Sequence, residues 1–183
     1  MTRIRPGTVF EIDVDDHIRV PGYLVSFIRG NHQAMLAALY DVLPQDWTGD
    51  TITWVKEHDP VVLLMTFTLG FRRGKYRAVG ILEDPPSIQM PLFRVAIGTP
   101  DHVAVSDHNY DVVRTYAGSP SALPLHTIVS TGRAERIARA IAGVDPWDAE
   151  FNRYKYPPVN AESEPKGVTS RLTRLFRTDS GLR

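Results

Sequence analysis

The stretch GTVFEIDVDDHIRVPGYLV, residues 7–25, decides how the chain is read. In its first half Phe10, Ile12 and Val14 fall on one side of an extended strand, and Glu11 and Asp13 on the other. The second half runs on as HIRVPGYLVSFI to Ile28. It is extended too, interrupted only at Pro21-Gly22, where a missing backbone donor marks an edge, a bend or a bulge. Asp15 and Asp16 join the halves and favour a turn. The pattern predicts an antiparallel hairpin over residues 7–28, with Phe10 and Ile12 buried and Glu11, Asp13, Asp15 and Asp16 exposed. The same DVDDH, residues 13–17, could instead hold a metal. A calcium loop, however, spreads its carboxylates over about twelve residues around a glycine, and no glycine lies among these. The hairpin tip accounts for them without any chemistry.

Working outward, QAMLAALYDV (33–42) stays open. Its Ala, Leu and Met favour helix, while its place after two strands allows a third. TGDTITWVKEHD (48–59) sets Trp54 and Val55 between polar residues and turn signals. VVLLMTFTLGF (61–71) is a nearly continuous apolar run and reads as a buried strand. RAVGILE, LFRVAIG and HVAVSD supply further short strands around the irregular, proline-rich EDPPSIQMP. From about residue 130 the period changes. STGRAERIARAIAG places Ile137, Ala140 and Ile141 on one helical face, with Ser130 or Thr131 to start the helix and Gly143 to end it. VDPWDAEFNRY predicts a second short helix, capped by Asp145, with Pro146 in its first turn. Six or seven strands followed by helices predict an α+β, mainly β fold. The strands are expected to form a barrel-like or strongly curved sheet, followed by one or two C-terminal helices. Residues 1–160 are expected to be a single globular domain and 161–183 a polar linker with a basic C-terminal tail.

The chain has 183 residues, of which 43% are hydrophobic and 23% charged, a composition that folds rather than one that stays disordered. With no cysteine it has no disulfide framework and no thiolate zinc site. The formal net charge is zero, which gives little long-range steering toward nucleic acid. The charge is unevenly spread: residues 1–60 hold nine acids and five bases, residues 165–183 one acid and five bases. No apolar run reaches the roughly 18 residues of a membrane span, and the start of the chain lacks a signal-peptide core. A cytoplasmic protein is expected.

Among candidate chemistry, the six histidines include no helical i, i+4 pair of the zincin kind. DHVAVSDH (101–108) repeats Asp-His across a short strand, so His102 and His108 could meet on one face and, with a third ligand, hold a metal. Strand-end turn residues account for the same pattern. Ser130, Thr131 and Gly132 could form an anion site at a helix start, or simply cap it. No GxSxG elbow and no phosphate-binding loop is present.

One resemblance goes further. Gly7, Val9, Phe10 and Ile12, then Gly22, Tyr23, Leu24 and Val25, then Tyr40 and Asp41 stand in order along the first strands. Gly74, Tyr76, Val79, Gly80, Pro85, Pro86 and Phe93 follow. Together, over roughly residues 5–95, they resemble immunity protein family 26 of bacterial polymorphic toxin systems. The resemblance implies a mainly β protein, not an enzyme, that binds a cognate toxin protein and neutralises it stoichiometrically. It supplies no catalytic residue; the missing cysteines and the histidine spacing predict no stoichiometric metal, and no cofactor or small-molecule substrate is expected. The binding residues to test first are the acids Glu11, Asp13, Asp15 and Asp16. The competing readings are a nucleic-acid-binding β-barrel module and a small hydrolase using the Asp-His pairs.

Overall fold

The hairpin forms as the alternation requires. In the computed structural model, which describes residues 3–29, 31–44, 46–99, 102–109, 113–116 and 123–157, strand β1 (Thr8–Asp15) pairs antiparallel with β2 (Ile18–Ile28). Ile12 lies opposite Val20 and Asp13 opposite Arg19; the register then shifts, so that Asp15 faces Ile18 across an Asp16-His17 turn. Asp15 Oδ1 accepts from the Asp16 N–H at 2.7 Å, the local bond that suits aspartate to turns. Gly22 sits opposite Phe10, where a Cβ would run into the Phe10 ring. Pro21 is tolerated because the ladder from β2 to the next strand starts one residue later, at Gly22 opposite Leu39. Its carbonyl still accepts from the Tyr40 N–H at 2.9 Å.

The open segment is a strand. β3 (Asn31–Leu39) lies between β2 and β4 (Val62–Phe67), and every residue from Ala34 to Tyr40 is buried. A central strand covered on both faces needs apolar side chains at every position, so tertiary burial overrides the helix propensity of Ala, Leu and Met. After the one-turn α2 (Leu69–Arg72), Gly74 turns the chain at a φ of +71°, and β5 (Tyr76–Ile81) returns alongside β1. The main sheet thus has the order β4-β3-β2-β1-β5, antiparallel throughout. A second sheet follows, of β6 (Phe93–Thr99), β7 (His102–Ser106) and β8 (Val113–Tyr116). The fold is α+β and mainly strand. Of the barrel-like or strongly curved sheet expected, no closed barrel is found among the described residues: β4 and β5 are the two ends of the strand order.

Two elements depart from the sequence-based expectation. Residues 51–57 form a helix, α1 (Thr51–Glu57), where turn signals alone were read; Asp50 caps it by accepting from the Thr53 N–H at 2.7 Å. Near the C-terminal side, α3 (Thr131–Ile141) starts at Ser130 as expected, and Gly143 follows it at a φ of +69°. The next turn is a 3-10 helix, Ala149–Tyr154, and its cap is Asp148 rather than Asp145. Asp145 is drawn instead to Arg139, which donates to it from Nε at 2.8 Å and Nη2 at 3.0 Å.

The core lies on both sides of the main sheet. Phe10, Ile12, Leu24, Met35 and Leu64 pack against Ile137 and Ala138 of α3 and Phe151 of the 3-10 helix. Val9, Tyr23, Tyr40 and Leu63, on the other side, pack with Trp54 and Val55 of α1. Phe93 joins the second sheet to Ile28, Leu36 and Met65. The outer edge of β4 is closed off by the Val129 N–H donating to the Met65 carbonyl and the Tyr156 N–H donating to the Val61 carbonyl, both at 2.8 Å. Among the described residues no helix is long and apolar enough to cross a membrane. The expected domain limit at residue 160 and the basic tail lie outside the described residues.

Candidate functional site

The end of the β1–β2 hairpin is the most chemically loaded part of the described structure. After β3 the chain runs on alongside β2 toward the tip: the Tyr40 N–H donates to the Pro21 carbonyl, and the Leu43 N–H to the Arg19 carbonyl at 3.4 Å. This path lays residues 40–44 beside the tip, and Asp50 stands at the start of α1. Between hairpin, loop and helix lies a cleft of about 420 Å³, lined by Glu11, His17, Arg19, Leu43, Pro44, Trp47, Gly49, Asp50, Thr51, Ile52 and Val79.

Three of the four acids chosen from the sequence are where they were expected. Asp13, Asp15 and Asp16 are exposed at the tip. Glu11 is not: only 3% of it is accessible, which corrects its reading as an exposed binding acid. Strand alternation does send it away from Phe10 and Ile12, but that second face is covered by the start of α1. A carboxylate taken out of water must be compensated. Thr51 Oγ1 donates to Glu11 Oε1, Arg77 Nη2 donates to Oε2 from the paired position on β5, and Arg19 Nη1 stands 3.7 Å from Oε2. Arg19 also places Nε 3.7 Å from Asp13 Oδ1, so it lies between two acids at more than hydrogen-bonding distance from either.

Sequence reasoning missed Thr51, Arg77 and Trp47. Trp47 forms one wall, edge-on to Trp54 at 4.9 Å between ring centres, and Trp54 in turn stacks on His58 at 3.7 Å. Asp50, at the rim, is held below the usual carboxylate range by the Thr53 N–H that donates to it. Counting the hairpin end (13–19) with the loop (40–50), six acids stand against one base. Asp13, Asp15, Asp16, Asp41, Asp46 and Asp50 are all exposed, and Arg19 is the base.

The histidine candidates are split between this site and the neighbourhood of the second sheet. His17 lines the cleft. His102 begins β7 and its side chain is not among those described. His108 is buried in the turn after β7, where its Nε2 lies 2.8 Å from Ser26 Oγ. His126 Nε2 lies 3.1 Å from the His108 carbonyl, and burial pulls the His126 pKa below its ordinary value. Among the described residues no three His, Asp or Glu side chains converge as a metal set. Ser130 caps α3, accepting from the Arg133 N–H at 3.2 Å, and Thr131 is buried behind it.

Comparison with protein-family models, with curated proteins and with solved structures returns no match to this chain.

Proposed function

We propose that the chain is an immunity-type protein, which binds a toxin domain through the hairpin end and neutralises it by stoichiometric association rather than by turnover. The observation that carries this reading is the exposed acidic end: six exposed aspartates lie on the hairpin end and the loop beside it, and one of them, Asp50, lines a cleft with an aromatic wall. Such a surface suits a basic protein partner. Charge complementarity there raises association rates, from about 10⁵–10⁶ toward 10⁸–10⁹ M⁻¹s⁻¹ at low salt, more than it raises affinity. The same surface repels phosphates and so disfavours a nucleic-acid-binding role. The resemblance of residues 5–95 to an immunity family supports the partner class. On this reading the chain works in the bacterial cytoplasm, needs no cofactor, and meets its toxin before the toxin reaches its target.

Co-expression with the gene encoded beside it, which on this reading specifies a toxin domain, tests the reading. Growth should be restored and the two proteins should co-purify at a fixed ratio. Neutralisation by catalytic amounts would overturn it. A second reading, a small hydrolase, draws on the 2.8 Å approach of Ser26 Oγ to His108 Nε2, the spacing of a nucleophile and its base. Labelling of Ser26 by a fluorophosphonate, lost in His108→Gln, would favour it.

A further inference from the structure

We propose that the cleft beneath the hairpin end receives a single arginine side chain of the partner protein, and that Arg19 is the internal cation this arginine displaces. The inference rests on the reading of the chain as a protein binder and specifies what that partner presents.

The cleft is built in layers. At its floor Glu11 has a side chain only 4% accessible, fixed from behind by Arg77 and from the side by Thr51. Both carboxylate oxygens are engaged, so the floor is rigid and is not a vacant set of metal donors. The walls are apolar: Trp47, Pro44, Ile52 and Val79 can cover the methylene stem of a long side chain, and an indole face attracts a guanidinium placed over it. The rim carries Asp50, with Asp13 beyond it, so the field at the mouth is negative and admits a cation rather than an anion.

Arg19 already shows what the site prefers. It lines the cleft, is half exposed, and sits 3.7 Å from both Glu11 and Asp13 without a hydrogen bond to either. A cation held this loosely is a competitor that an incoming guanidinium can replace, and one able to donate a planar fork at hydrogen-bonding distance gains what Arg19 lacks. That geometry, together with stacking on Trp47, selects arginine over lysine. A cleft of about 420 Å³ has room for such a side chain.

The test uses the full chain and N-acetyl-arginine methylamide as probe, with the citrulline analogue as a neutral isostere. The readout is the indole N–H resonance of Trp47, one of three tryptophans, assigned with Trp47→Phe. The arginine probe should shift it saturably, and the citrulline probe should bind at least about tenfold more weakly, as expected when a charged partner is lost. Arg19→Ala, which leaves Glu11 paired with Arg77, should tighten the arginine probe by about two- to fivefold, the scale of one exposed ion pair. Equal shifts with citrulline, or unchanged or weaker arginine binding in Arg19→Ala, would overturn the proposal. If the probe fails while the toxin domain is still bound at a fixed ratio, this inference falls and the proposed function stands. If the probe binds as expected and no toxin domain is neutralised, the function falls and the cleft stands.

Discussion

The two faces of β1 meet different fates within one strand. Phe10 and Ile12 enter a continuous apolar core against α3, and Val14 extends the same row. On the opposite face Val9 is buried, Glu11 is buried but polar, and Asp13 is exposed, so cover fades along the strand toward the tip. Period-two alternation assigns side chains to faces. It does not reveal what covers the second face, because that cover comes from α1 and β5, elements 40 and 66 residues further along the chain. The first face therefore makes stability, and the second, half covered and half open, makes the cleft.

The contrast predicts a ranking of mutational effects. Ile12→Ala should be the most costly, about 2–5 kcal/mol, because a fully buried side chain leaves a cavity between sheet and α3. Urea unfolding measures it; a cost under about 1 kcal/mol would mean that α3 does not hold this face closed. Glu11→Ala comes next, about 1–3 kcal/mol, since it strands the Thr51 hydroxyl and leaves two arginines without their shared acid. The figure stays well below that of a fully buried ion pair because Arg19 and Arg77 are each half exposed. If Glu11→Ala were as mild as an exposed aspartate change, the two faces would differ less than the structure indicates.

How much of this was legible in the sequence follows from the range of the interactions involved. The hairpin and α3 are local: alternation, an Asp-Asp turn, a serine start and a glycine stop all lie within each element. β3 is ambiguous in the sequence because Ala and Leu serve a buried strand and a helix equally well. α1 was hidden by its β-branched Thr51, Ile52, Thr53 and Val55, which lower helix propensity, although Asp50 three residues before Thr53 is a capping pattern. The cleft was not legible, since Glu11, Thr51 and Arg77 meet only through the sheet order. The tyrosines show the same limit. Burial raises the Tyr76 pKa to about 12 and raises that of Tyr40 too, and no local pattern marks either position.

A partly buried histidine sharpens the comparison. His126 lies against Phe93, and its pKa is lowered first by burial, with Asp107 and the His108 carbonyl acting the other way. A base whose folded pKa is depressed takes up more protons when unfolded. Its contribution is therefore complete above the ordinary value of about 6.5 and is lost as the pH falls toward the lower folded value. The thermal midpoint should drop between neutral and mildly acid pH, and His126→Asn should flatten that slope. A slope unchanged in the variant would assign the loss to other groups.

The smallest stability effect is expected at the open end of the second face, and there the consequence for binding is greatest relative to the cost in fold. Asp15→Asn with Asp16→Asn removes two charges from exposed positions. Asparagine keeps the oxygen that accepts from the Asp16 N–H, so the turn bond survives. Stability should change by less than about 1 kcal/mol, as at ordinary surface sites. If the acidic end steers a basic partner, the same double variant should slow association several-fold at low salt and flatten its salt dependence, while dissociation changes little. A stability loss above about 2 kcal/mol would make the tip a structural element like Glu11. An unchanged association rate with intact fold would move the docking surface away from the hairpin tip, leaving the cleft and its Trp47 wall to be tested apart from the tip acids.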